Sequence, residues 1–202
     1  MSASGIEIVP VGLRVEGRRV IVVGAGRIAA RKAAAYHDRD AEVVVVAPEV
    51  SDDMRELGVA EVRERAFEPA DLDGAWFAVT ATGIPEVDGA VFRAAEERRI
   101  WCNAADDPQH CSTILPAVVR AGGITVSIST GGRSPAMASW LRRQITDLLD
   151  EPTLAAFERT AMVRDELRAE GRPTEIPGWQ EALDAYEADL RRRLDEAGDP
   201  AD

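Results

Sequence analysis

The stretch VIVVGAGRIAARKA, residues 20–33, decides the fold. A short β-branched apolar run ends in glycines and leads directly into an alanine-rich segment, as expected of a buried parallel strand followed by a helix. The junction has the pattern Gly24-x-Gly26-x-x-Ala29. Gly24 permits a tight turn, Gly26 lets the backbone approach a pyrophosphate, and Ala29 lets the helix pack close to the strand. The N–H groups at the helix start favour phosphates, so we predict a dinucleotide-binding unit.

The first half of the chain continues to alternate strands and helices. Apolar runs predict three further strands at 41–48, 74–82 and 100–104. Residues 60–67 alternate like an edge strand and predict a fourth. Residues 85–99 are predicted to form a helix with Pro85 near its first turn. This strict alternation predicts an α/β fold with a Rossmann-like doubly wound parallel sheet.

The pattern changes in the second half of the chain. Residues 113–130, TILPAVVRAGGITVSIST, indicate two strands joined by a tight RAGG turn. Residues 131–151 follow as a helix, with Ser134 as its candidate N-cap and Pro135 at its first position. Two more amphipathic helices are predicted at about 153–170 and 178–197.

Composition excludes several classes of function. The formal net charge of -12 argues against non-specific nucleic-acid binding, which needs a basic surface. No apolar run approaches the length of a membrane span, and the N-terminus lacks the pattern of a signal peptide. We therefore expect a cytoplasmic protein without membrane contact, with its two cysteines as free thiols. The acidic surplus, in which Lys32 is the only lysine, suits either a high-salt cytoplasm or a GC-rich genome.

The cofactor preference follows from the end of the second strand. That position usually holds an acidic residue that binds the ribose hydroxyls, whereas this chain has Pro48 followed by Glu49. Glu49 is within reach of the ribose, and no arginine stands there for a 2′-phosphate, so NAD is favoured over NADP. The predicted cofactor contacts are Gly24, Gly26, Arg27, Ile28, Pro48, Glu49, Thr80, Ala81, Thr82 and Asn103.

Residues 101–113, WCNAADDPQHCST, contain both cysteines and one of the two histidines. A zinc site would need about four ligands at a recognised spacing, which this stretch does not provide, so no metal site is predicted. His110 and Cys111 are adjacent, and an extended backbone would point them to opposite faces, which is a poor arrangement for a nucleophile and its base. A role for His110 near a ligand or an incoming metal remains open. Because the stretch follows the fifth predicted strand, we expect it to face the bound dinucleotide.

Four motifs together resemble one family, the precorrin-2 dehydrogenases that form the NAD-binding half of siroheme synthases. They are VIVVGAGRIAARKA (20–33), WFAVTATG (76–83), IWCNAADDP (100–108) and VSISTGGRSPAMASWLR (126–142). The last is the most specific, because general dehydrogenases have no equivalent S-T-G-G-x-S-P before a helix. The resemblance covers nearly the whole chain.

The resemblance implies NAD-dependent oxidation of precorrin-2 to sirohydrochlorin in siroheme synthesis, and through it a contribution to haem synthesis. It assigns the catalytic carboxylate to Asp106, with Asp107 the weaker candidate. The second glycine loop and the helix start after it would meet the substrate carboxylates through Thr130, Gly131, Gly132, Arg133 and Ser134. The implied layout is an NAD-binding domain (1–111), a segment that forms a homodimer (112–150) and a helical C-terminal domain (151–202).

Two alternatives stay open at this point. The first is a bifunctional enzyme that also inserts Fe(II) into sirohydrochlorin, as some family members do. The second belongs to another class: a regulatory module in which the Rossmann domain senses NAD without turning it over. Such a module has no reason to carry both the CNAADDP and the STGGRSP stretches.

Overall fold

The computed structural model of the protein describes residues 7–105, 107–175 and 177–198. The chain forms two compact units, one spanning Val9–Leu115 and the other built mainly from the chain after Pro116.

The first unit is a five-stranded sheet in which every pair of neighbours is parallel. Its strands are β1 (Arg19–Val23), β2 (Glu42–Val46), β3 (Glu61–Arg63), β4 (Phe77–Thr80) and β5 (Trp101–Ala104). The strand order is β3-β2-β1-β4-β5, so the chain reverses its direction of winding between β1 and β4. In open α/β sheets the ligand crevice lies at this switch point. The predicted Rossmann-like doubly wound sheet is confirmed.

Helices cover both faces of this sheet. They are α1 (Arg27–His37), the short α2 (Asp52–Glu56) and α3 (Pro85–Glu97). Because successive strand residues point to opposite faces, Val20 and Val22 pack with Ala29 of α1, whereas Ile21 packs with Val91 of α3. The central strands are therefore apolar on both faces, which explains their continuous valine-rich runs.

Two local predictions for this unit need correction. The strand predicted at 60–67 pairs over only three residues, since the chain turns after Arg63, where the Arg65 N–H bonds to the Arg63 carbonyl at 2.9 Å. Helix α2 was not predicted, because five residues are too few to show a helical period. Its start at Ser51 does carry a capping signal: the Ser51 hydroxyl accepts the Met54 N–H at 3.3 Å.

The second unit begins with an antiparallel hairpin, β6 (Ala117–Ala121) and β7 (Ile124–Ile128). Both turn residues, Gly122 and Gly123, have positive φ (50° and 83°), which the tight turn requires. A Cβ on Gly122 would lie 2.9 Å from the Leu154 side chain, so the turn is also closely packed.

Three helices follow the hairpin: α4 (Pro135–Leu148), α5 (Glu151–Ala169) and α6 (Trp179–Gly198). The predicted start of α4 is confirmed, because the Ser134 hydroxyl accepts the Met137 N–H at 3.2 Å and Pro135 occupies the first position. Asp150 caps α5 and also binds Arg191 of α6 at 2.6 Å, which ties these two helices together.

Candidate active site

The glycine loop after β1 joins the ends of three strands. Gly24 has a φ of +104°, and its N–H donates to the Val46 carbonyl at the end of β2 at 2.9 Å. A Cβ at this position would lie 2.7 Å from the Ala81 oxygen and 2.9 Å from the Ala81 carbonyl carbon. Only glycine meets both conditions, because other residues adopt this φ rarely and the backbone after β4 leaves no space.

The start of α1 has the features of an anion-binding site. Gly26 is the N-cap residue, no described side chain caps this end, and the first turn contains no acidic residue. A Cβ on Gly26 would meet nothing within 4 Å. The N–H groups of the first turn and the positive end of the helix dipole therefore lie beside open space, as a pyrophosphate site requires.

A cleft of about 630 Å³ opens beside this loop at the carboxyl ends of β1, β2 and β4. This volume is typical of small-molecule and cofactor sites. The lining residues are Val23, Gly24, Ala25, Gly26, Val46, Ala47, Pro48, Glu49, Val50, Ser51, Ala66, Phe67, Ala81, Thr82, Ile84 and Val87. The lining is apolar around a glycine backbone, so the residues present fit a dinucleotide whose pyrophosphate lies on α1.

The structure brings six of the ten predicted cofactor residues together in this cleft: Gly24, Gly26, Pro48, Glu49, Ala81 and Thr82. Arg27 and Ile28 form the exposed first turn of α1 next to it. Thr80 is completely buried at the end of β4, and Asn103 lies in β5. The roles of these residues in cofactor binding remain predictions.

Asp88 is a buried carboxylate that the sequence did not single out. Its Oδ1 accepts hydrogen bonds from the Thr80 hydroxyl, from the Thr82 hydroxyl at 2.8 Å and from the Thr82 N–H at 3.3 Å. Asp88 thereby fixes the turn after β4 that forms one wall of the cleft. An acidic residue in the first turn of a helix is common, so its sequence position carried no special signal.

Ser51 is a second residue that sequence reasoning missed. Its hydroxyl and its N–H both donate to the Ala25 carbonyl, at 2.6 and 3.2 Å. Ala25 lies between the two glycines of the loop, so these bonds from Ser51 fix the loop. The capping pattern at the start of α2 would have identified Ser51 as an N-cap but not this long-range contact.

Two arginines at the carboxyl end of β3 are bound to a buried carboxylate. Arg63 and Arg65 both bind Asp71, at 2.7 and 2.5 Å, and Asp71 is 2% exposed. Burial alone would raise the pKa of Asp71, but hydrogen bonds from Arg65, from the Glu68 N–H and from Arg63 lower the pKa to about 2. Glu49 is exposed at the cleft.

The polar atoms of Asn103 are bound by the protein itself. Its amide oxygen accepts from Lys32 Nζ at 2.9 Å, and its amide nitrogen donates to the Thr113 carbonyl at 2.8 Å. These bonds connect the end of β5 to α1 on one side and to Thr113 on the other.

Both cysteines are free thiols, as predicted. Cys102 is fully buried, and burial raises the pKa of its thiol to about 12. Burial also raises the pKa of Cys111, whose sulfur donates to the Ala104 carbonyl at 3.1 Å. Both thiols are therefore protonated near neutral pH and act as packing groups.

The stretch between the cysteines forms a short 3-10 turn at Pro108–His110. His110 Nδ1 lies 2.6 Å from Asp107 Oδ2, and this contact lowers the pKa of Asp107. The rings of His110 and Phe92 pack in a T-shaped arrangement, with a centroid distance of 5.6 Å. His110 and Cys111 thus contact different partners. Asp106, the predicted catalytic residue, lies outside the described residues.

The predicted substrate loop belongs to the second unit. The Thr130 hydroxyl accepts the Ser134 N–H at 3.1 Å, and the Thr130 carbonyl accepts the Arg133 N–H at 3.1 Å. Gly131 and Gly132 have φ values of 60° and 76°, which allow the chain to turn into α4. Arg133 is exposed. The role of this loop in substrate binding stays a prediction.

Comparison with known families adds to this geometry. A family described as "Putative NAD(P)-binding" matches residues 11–117, which include the whole glycine loop and cleft. The chain belongs to this NAD(P)-binding family. Membership agrees with the fit of the cleft, and the cofactor is a nicotinamide dinucleotide. A second family, described as "Sirohaem biosynthesis protein central", matches residues 122–148, which comprise the hairpin turn, β7 and α4.

Curated relatives of this NAD(P)-binding chain are siroheme synthases, so the predicted resemblance is confirmed. Siroheme synthase 3 of Aeromonas hydrophila is 34% identical over 167 residues, which are 81% of this chain and 36% of that protein. The siroheme synthase of Methylobacillus flagellatus is 38% identical over 157 residues, covering 75% of this chain and 34% of that protein. The chain therefore spans about a third of the length of these relatives.

The solved structure of SirC, a precorrin-2 dehydrogenase, has the same fold. It superposes with a TM-score of 0.70 over 94% of this chain and 100% of that chain, at 23% sequence identity.

Two features are absent from the described residues. No helix among them combines the length and apolar character needed to cross a membrane. Within 7–105, 107–175 and 177–198, no three histidine, cysteine, aspartate or glutamate side chains form a group that could hold a metal ion.

Proposed function

We propose that the protein is an NAD-dependent precorrin-2 dehydrogenase, which oxidises precorrin-2 to sirohydrochlorin in siroheme synthesis. The observation that carries this proposal is the dinucleotide cleft at the β1/β4 switch point, followed along the chain by the segment that matches the sirohaem biosynthesis family. The names of the relatives and of the structural neighbour support the same substrate class.

Different residues are assigned to cofactor binding, to substrate binding and to proton transfer. A nicotinamide dinucleotide held in this cleft would supply the hydride acceptor for the oxidation of the macrocycle. The N–H groups at the start of α1 hold the pyrophosphate, and the turn fixed by Asp88 forms the wall beside it. Loss of a hydride must be followed by loss of a proton, and we assign its acceptance to the carboxylate of Asp106. The glycine loop at Thr130–Ser134 is assigned to the substrate carboxylates.

The direct test is anaerobic incubation of the purified protein with precorrin-2 and NAD. We expect NADH absorbance to rise in step with the sirohydrochlorin spectrum, in a ratio of one to one. NAD binding without any turnover would instead support the NAD-sensing module. A parallel incubation with sirohydrochlorin and Fe(II), compared with the rate without protein, tests whether Fe(II) is a second substrate.

We propose NAD rather than NADP as the cofactor. Glu49 lines the cleft at the end of β2, where its charge would repel a 2′-phosphate, and the nearby Arg63 and Arg65 are held by Asp71. Glu49→Arg is expected to lower the ratio of kcat/KM for NAD to that for NADP at least tenfold. The matched control is Asp53→Arg, the same charge change on exposed α2 outside the cleft lining. Equal shifts in the two variants would contradict a specific role for Glu49.

We also propose that the hairpin and α4 form a homodimer interface. Three large apolar side chains of α4 are exposed: Met137 (48%), Trp140 (47%) and Leu148 (67%). An exposed apolar stripe on one helix is typical of a surface that a partner covers.

Trp140→Glu is expected to convert the protein from dimer to monomer, because a charge would be buried at the proposed interface without a partner. Light scattering at micromolar concentration measures the mass. Ser139→Glu adds the same charge at an exposed site about 100° around the helix and should leave the dimer intact. A wild-type protein that is monomeric would refute the interface.

A further inference from the structure

We propose that Lys32 is a positioning residue for the dehydrogenation, acting through Asn103 to hold the segment that follows β5. The inference rests on the proposed function and adds a residue of α1 to it. Lys32 lies on the helix whose start binds the pyrophosphate, but its side chain points to a different strand end, where it reaches Asn103.

The contact places a cation against a buried amide. Lys32 is half-buried and donates to Asn103 Oδ1 at 2.9 Å, while Asn103 is 5% exposed. Ordering a long lysine side chain costs conformational entropy. A solvated lysine that served only solubility would not be held in this way.

The chemistry of the ammonium group fixes the orientation of the Asn103 amide. An ammonium only donates hydrogen bonds, so the amide must present its oxygen to Lys32. The amide nitrogen then faces the opposite way and donates to the Thr113 carbonyl at 2.8 Å. Without the ammonium, the amide could rotate and place its oxygen against that carbonyl, which would break the bond and create repulsion.

This bond is one of several that hold residues 112–113 against β5. The N–H groups of Ser112 and Thr113 both donate to the Cys102 carbonyl at 3.0 Å, and the Ser112 hydroxyl accepts the Cys102 N–H at 2.9 Å. On the other side of the loop, the Ala105 N–H donates to the Thr80 carbonyl at 2.8 Å. In the sequence, Asp106, to which the catalytic carboxylate is assigned, directly follows Ala105. A displacement of about 1 Å in such a group lowers a rate by up to about 10²-fold.

The test compares Lys32→Met, which keeps the aliphatic length but removes the ammonium, with Arg31→Met. Arg31 is the neighbouring exposed cation of α1, so both variants lose one positive charge from the same helix. For Lys32→Met we expect kcat to fall at least tenfold, while the Kd for NAD changes less than twofold. Arg31→Met should keep the wild-type kcat. Lys32→Arg, which again offers only donors, should recover part of the lost kcat.

Two further measurements separate positioning from other roles. In the double variant Lys32→Met/Asn103→Ala, kcat should be no lower than in the worse single variant, because both changes remove one shared element. Independently of turnover, the side-chain amide protons of Asn103 should exchange with solvent slowly in the wild type and faster in Lys32→Met, as measured by NMR on labelled protein.

Several results would overturn the inference. An unchanged kcat with a raised KM for precorrin-2 would show that Lys32 attracts the anionic substrate instead. Additive losses in the double variant, or unaltered amide exchange, would show that Lys32 does not act through Asn103. If the wild type lacks turnover, the proposed function fails; if the wild type turns over and Lys32→Met does so equally, only this inference fails.

Discussion

Gly24→Ala is expected to lower the free energy of unfolding of the NAD-binding unit by about 3 kcal/mol or more. Backbone strain at a φ of +104° contributes about 1–3 kcal/mol for any residue with a Cβ. The new methyl group would also overlap the Ala81 carbonyl, whose oxygen would lie 2.7 Å away, and this neighbour is backbone that cannot rotate aside. Thermal denaturation should show the loss as a midpoint about 10 °C lower, together with loss of NAD binding.

Gly26→Ala is the matched comparison in the same loop. Its φ of −78° suits any residue, and the added methyl group would meet nothing within 4 Å. This variant should keep the wild-type melting temperature but bind NAD at least tenfold more weakly, because the methyl group would stand where a pyrophosphate approaches α1. Equal losses of stability in the two variants would contradict the role given to Gly24. Wild-type affinity for NAD in Gly26→Ala would contradict the role given to Gly26.

Asp106→Ala is expected to lower kcat for precorrin-2 dehydrogenation by at least about 10²-fold, the usual contribution of a positioned general base. NAD binding should stay measurable, because the six predicted cofactor residues that line the cleft lie in the glycine loop, after β2 and after β4. Stopped-flow NADH absorbance and NAD titration give the two quantities separately.

Asp107→Ala is the control for this prediction. Asp107 is bound to His110 at 2.6 Å, so its loss should loosen the turn at Pro108–His110 without removing the proton acceptor. We expect a kcat within about tenfold of the wild type. Unchanged turnover in Asp106→Ala, or a greater loss in Asp107→Ala, would remove Asp106 from its role.

The strands and helices of the first unit were largely readable from local sequence. A strand buried on both faces is apolar at nearly all of its buried positions, and β1, β2 and β4 therefore contain continuous apolar runs. The start of α4 was equally readable, since Ser134 and Pro135 act within a single turn of chain. Helix α2 and the true length of β3 were not, because a five-residue helix and a three-residue strand are shorter than the periods that reveal them.

The cleft was partly predictable. Gly24, Gly26, Pro48 and Glu49 follow strand ends, and parallel strands bring their carboxyl ends to one edge of the sheet. Asp88 and Ser51 were missed because their roles depend on contacts with residues outside their own turn of helix. Ser51 lies 26 positions from Ala25, and nothing in the intervening sequence indicates that they meet.

The sequence by itself determined the class of the fold, the glycine turn and the family, because these depend on residue type over a few neighbouring positions. Only the tertiary structure decided which polar groups meet: Asp88 with two threonines, Asp71 with two arginines, and Lys32 with Asn103 across 71 positions. The physical reason is that a hydrogen bond requires two groups to lie within about 3 Å with suitable orientation. Chain order does not encode that proximity until the strands have paired and the helices have packed onto them.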